Sequence, residues 1–160
     1  MNDTPDVGAP GTPDDFASVC DRYDDYARRN ADLLPRNRDA LFQALANAGI
    51  ASVLVGFDGG GDSGQIESVD AHDANGPASL PTGSIERFSA PWDPGEPDSR
   101  MIEVATAIEE LAYDMLRNTH CGWENNDGAF GEFTFDVAAG VVRLEFHERY
   151  VATETYHHEL

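Results

Sequence analysis

From Glu132 to Tyr150 the side chains alternate between apolar and polar, and this rhythm limits what the chain can fold into. Phe133, Phe135 and Val137 are interleaved with Glu132, Thr134 and Asp136. Val142, Leu144, Phe146 and Tyr150 follow in step, with Arg143, Glu145 and His147 between them. A strand sends successive side chains to opposite faces, so a period of two means one face buried and one in water. Antiparallel sheets tolerate that arrangement. Ala138-Ala139-Gly140 joins the two runs and reads as a hairpin turn.

Further segments match this sheet. Ile50–Phe57 is strand-like, with Val53, Val55 and Phe57 on one face, and a glycine-rich loop turns the chain into a second strand at Gln65–Ala71. Thr12-Pro13-Asp14-Asp15 predicts a helix start: Thr12 caps, Pro13 suits the first position, and the aspartates favour the positive end. Phe16, Val19, Cys20, Tyr23, Tyr26 and Ala27 follow at helical spacing. Pro35 is expected to end that helix and open a second, whose stripe of Leu34, Leu41, Leu45 and Ala48 stops at Gly49. In a third helix Met101, Val104, Ala105, Ile108, Leu111, Ala112, Met115 and Leu116 share a face, with Asp98 or Ser99 as cap. Residues 73–97, rich in Pro, Gly and Ser, hold a short strand around Ile85–Phe88, and Val151–His157 extends the last strand or pairs again. The expectation is one α+β domain over residues 12–160. It has an antiparallel sheet of about four to six strands and about three helices on one face, behind a flexible acidic tail at 1–11.

The chain has 160 residues and a formal net charge of −20, and all ten of its basic residues are arginine. Neutralising phosphates requires clustered Lys and Arg, so direct nucleic-acid binding and anionic membranes are disfavoured. Basic proteins, divalent cations and cationic small molecules stay open as partners. The charge could itself be functional, in an acidic nucleic-acid mimic. Asp14, Asp15, Asp21, Asp24 and Asp25 make an acidic first helix, and Glu132, Asp136 and Glu145 an acidic sheet face interrupted by Arg143 and His147. Two dispersed cysteines, Cys20 and Cys121, fit a reduced, cytoplasmic setting. The N-terminal residues lack the pattern of a secretory signal, and no apolar run reaches bilayer length.

Candidate chemistry sits in two loops, Phe57–Gly64 and Cys121–Gly128. The first is no phosphate cradle, having no lysine and leading into a strand, and no nucleophile elbow, since Gln65 stands where glycine would be needed. Bonding of backbone amides by Asp58 or Asp62, with glycines supplying positive φ, accounts for it structurally. The sharper alternative is a Ca²⁺ or Mg²⁺ site built from Asp58, Asp62, Glu124 and Asp127, with Glu67, Asn125, Asn126 and Glu132 as further oxygen donors if the loops meet. No other cofactor is expected. His120 is the candidate acid or base, or simply a residue at the third helix's C-terminal end. Cys121 is expected to pack under Trp123, and Trp123 either anchors a ligand or covers the sheet's end.

Val55–Glu67 and Thr119–Val137, with Ala31–Asn37, resemble a family of small bacterial proteins known only as a domain of unknown function. The resemblance runs from about residue 31 to the C-terminus. It implies a bacterial, cytoplasmic protein and transfers no activity, cofactor or catalytic residue. The leading expectation is a non-enzymatic regulatory or partner-binding domain that uses Asp58, Asp62, Ser63, Trp123, Glu124, Asn125, Asn126 and Asp127 toward a basic protein. A divalent-metal-dependent hydrolase and the acidic mimic are the alternatives.

Overall fold

The computed structural model describes residues 13–160, with side chains from residue 17 onward; the acidic tail, the Thr12 cap and the side chains of Asp14 and Asp15 lie outside the described residues. In chain order the elements are α1 (Pro13–Asn47), β1 (Ser52–Gly60), β2 (Ser63–Asp73), β3 (Gly76–Ala78), β4 (Ser84–Ser89), β5 (Asp98–Glu103), α2 (Val104–Thr119), β6 (Ala129–Asp136) and β7 (Val141–Glu148). Five strands form one antiparallel sheet in the order β3-β2-β1-β6-β7, and β4 pairs with β5 as a separate hairpin.

The alternation does set the buried face. Val53, Val55 and Phe57 of β1 and Phe133 and Phe135 of β6 are all buried, and Val55 stands directly across from Phe133. Leu41, Phe42 and Leu45 of α1 and Ile108, Leu111, Ala112 and Leu116 of α2 cover them in one continuous core. The opposite sheet face carries the polar partners, including cross-strand neighbours Glu132 and Glu145. Among the described residues no helix is long and apolar enough to cross a membrane.

Among the described residues two helices stand where about three were expected, because Pro35 does not break α1. Proline removes one helical hydrogen bond and crowds the carbonyl four residues earlier. Here it is exposed, and tertiary contacts hold the helix on both sides of it. On the C-terminal side, Asn37 donates to the Phe88 carbonyl at 2.9 Å and accepts from the Phe88 amide at 2.8 Å. On the N-terminal side, Trp92 packs against Tyr23 and Tyr26, and Arg29 donates to the carbonyls of Pro91 and Trp92.

Two boundaries also differ. Residues 98–103 form β5 instead of the first turn of a helix, so neither Asp98 nor Ser99 caps α2. Burial of Ile102 opposite Ile85 favours the strand, and Met101, which fitted the helical stripe, points into solvent. α2 begins at Val104, whose amide donates to the Gly83 carbonyl, and Glu103 at its N-cap makes no side-chain capping bond. Residues 149–160 neither extend β7 nor pair again.

Candidate functional site

The first glycine-rich stretch is mostly strand. β1 runs to Gly60 and β2 starts at Ser63, so Gly61-Asp62 alone makes the turn. Both turn residues have positive φ, at 62° and 67°, the combination of a type I′ hairpin whose twist suits antiparallel strands. For a non-glycine residue such as Asp62 that conformation is costly unless something fixes it.

The second loop fixes it. The chain leaves α2 at His120, turns through Gly122 and Asn126, both at positive φ, and enters β6. On the way it lies across the hairpin tip. The Gly61 amide donates to the Asn126 carbonyl at 2.9 Å, and the Asp62 amide to the Glu124 carbonyl at 3.1 Å. Asp62 Oδ1 in turn accepts from the Asn126 amide at 3.4 Å.

Three glycines permit this approach. A Cβ on Gly128 would lie 1.8 Å from the Gly59 carbonyl oxygen, and one on Gly64 would lie 2.2 Å from the Trp123 ring. Gly59 meets the same ring, at 2.6 Å. Trp123 therefore lies half-buried against the hairpin's bare backbone, with Phe57 edge-on at 5.4 Å between centroids. It covers the end of the sheet, as one of its two expected roles required. Cys121, expected beneath it, is exposed instead, at a turn where Gly122 takes positive φ between it and Trp123.

The carboxylates divide into two sets. Asp58 is held by Arg149, whose guanidinium donates to both carboxylate oxygens at 2.9 Å and to the Gly59 carbonyl at 3.1 Å. That guanidinium also lies 4.6 Å from the centre of the Phe130 ring, and the Arg149 amide donates to Gly128. A cation shared by Asp58, Asp62, Glu124 and Asp127 would have to break this forked pair. Among the described residues no three His, Cys, Asp or Glu side chains gather as metal ligands would. Asp62, Ser63, Asn125, Asn126 and Asp127 are exposed. Glu124 is half-buried, and its Oε2 is the one buried side-chain polar atom without a hydrogen-bond partner among the described residues. The His120 ring stacks on Phe146 at 3.7 Å, beside a cavity of about 220 Å³ that Asn125, Asp127 and Arg149 also line.

Arg149 is the residue that sequence reasoning missed. Its signal is faint: one basic side chain just before Tyr150, at the close of the last alternating run, in a chain with few of them. Its hydrogen bonds hold the Asp58 carboxyl below the ordinary carboxylate range, and Asp58 raises Arg149. A carboxyl lowered in the folded state stabilises above its unfolded pKa, and the contribution disappears as pH falls through the folded value. Arg149→Gln is thus expected to lower the melting temperature at neutral pH, with the gap from wild type closing below about pH 4. A gap unchanged down to about pH 2 would contradict this origin.

A family model described as a family of unknown function (DUF6878) matches residues 33–160. No curated protein and no solved structure matches the chain.

Proposed function

We propose that this chain, which belongs to the DUF6878 family of unknown function, is a non-enzymatic regulatory domain that binds a basic partner through its two joined loops. The support comes from how the loops are tied. Backbone bonds from Gly61 and Asp62 to Asn126 and Glu124 make most of the junction, which leaves the side chains of Asn125, Asn126 and Asp127 exposed on a fixed frame, with Asp62 beside them giving one oxygen to the Asn126 amide. A surface already ordered avoids part of the entropy cost of binding. Asp62 and Asn126 hold left-handed backbone there, which Asp and Asn tolerate better than other side chains, and the junction bonds keep it in place. Two exposed carboxylates beside two amides suit arginine and lysine side chains, and the net charge of −20 would speed a basic partner's approach.

The test is photo-crosslinking in extracts of the source cells, with the reactive residue placed at position 125 or, as control, at position 143 on the exposed sheet edge. Position 125 should give discrete protein adducts that weaken with added salt and with Asp62→Asn combined with Asp127→Asn. Identical adducts from 125 and 143, indifferent to those substitutions, would rule the surface out.

A further inference from the structure

A larger cavity lies elsewhere, where the N-terminal half of α1 meets the β4–β5 hairpin and the C-terminal half of α2. Its volume is about 730 Å³, within the usual range for small-molecule sites. Tyr23 and Tyr26 form one wall, and Phe88 and Tyr113 line it from the hairpin and from α2. Trp92 packs against both α1 tyrosines, at 4.8 and 5.3 Å between ring centroids, so that wall is set in advance. Tyr113 is fixed too, since its hydroxyl accepts a 3.0 Å hydrogen bond from the Ile66 amide.

The charges here are unlike those of the rest of the molecule. Three of the ten arginines, Arg87, Arg100 and Arg117, line the cavity, against the carboxylates of Asp24, Glu110 and Asp114. Balanced charge in a chain at −20 makes this a place where an anion is not repelled by the lining. The loop-side cavity, by contrast, sets Asp127 and Glu148 against Arg149 alone. Arg87 is mostly buried between two acids, with Nε on Glu110 and Nη2 on Asp114, both at 2.6 Å. Arg100 bonds Glu110 through Nη2 only, and Arg117 bonds Asp114 through Nη1 only, which leaves each with N–H groups to offer. Both of these side chains are more than half exposed, so a ligand can reach them.

We infer that this cavity binds a small planar aromatic molecule carrying a single carboxylate. The ring packs among Tyr23, Tyr26 and Tyr113, since Arg36 already lies 3.4 Å over the Phe88 ring, and the carboxylate accepts from the free N–H groups of Arg100 or Arg117. The site is separate from the two-loop surface and does not depend on the function proposed for it.

Three probes test it by ligand-observed NMR titration near physiological salt: 2-naphthoate, its neutral amide 2-naphthamide, and the non-planar cyclohexanecarboxylate. Naphthoate should bind tightest, with the amide about tenfold weaker for one lost charge-assisted contact and the cyclohexane acid about tenfold weaker for the lost aromatic packing. Arg100→Gln combined with Arg117→Gln should erase the preference for acid over amide. The fold should survive that change, because Arg87 still bridges Glu110 and Asp114; an unshifted melting curve checks this. Asp62→Asn with Asp127→Asn should leave all three affinities as they are. Absence of naphthoate binding, equal affinity for the amide or for the non-planar acid, or a preference that persists in the double arginine variant would overturn the inference.

Discussion

Gly128→Ala is expected to be the most damaging single substitution in the loop region, costing about 4 kcal/mol and lowering the melting temperature by roughly 10 °C. Two penalties combine. Gly128 sits at φ 76°, where a side chain costs about 1–2 kcal/mol. The new methyl would also fall 1.8 Å from the Gly59 carbonyl oxygen and 2.6 Å from the Gly60 Cα, both backbone atoms that cannot swing aside. Gly61→Ala is the control for the first penalty alone, since φ is 62° there but the added Cβ meets open space. It should cost only about 1–2 kcal/mol. Thermal or urea melts of the two variants give the close-approach term by difference. If they lose the same stability, the two loops do not press together as described.

Trp123→Ala is expected to cost about 2–4 kcal/mol, the lower part of the range for truncating a buried aromatic, since the ring is half-buried. The loss has a definite place. The ring is the side chain that fills the space over Gly59 and Gly64, and its edge meets Phe57. Without it the hairpin tip keeps its two backbone bonds to the second loop but loses the apolar contact that holds Gly59 and Gly64 against that loop. A variant as stable as wild type would mean that the ring lies on the surface without load.

What could be read from the sequence follows from how local each signal is. The alternation in β6 and β7 and the stripe from Val104 to Leu116 are repeated many times within one element, and no tertiary contact contradicts them. Pro35 is one residue whose local effect is opposed by distant partners, Phe88 and Trp92, which no sequence window includes. β5 was lost because Met101 and Val104 are spaced for a helix while the burial of Ile102 needs a strand partner, Ile85, 17 residues earlier. The loop residues were legible as a set from their glycines, carboxylates and amides. Their convergence was not, although Gly59, Gly64 and Gly128, where bare backbone meets a ring or another backbone, were its trace. Arg149 closes on Asp58 across 91 positions of chain, a distance over which spacing carries no information.

The central claim is that the two loops behave as one rigid surface, and amide hydrogen exchange read residue by residue by NMR tests it most directly. In the wild-type protein the Gly61 and Asp62 amides should exchange slowly, in step with those of β6, and in Trp123→Ala both should speed up together. If these two amides exchange as fast as those of an open hairpin turn in the wild-type protein, the loops are not joined and the proposed contact surface does not exist.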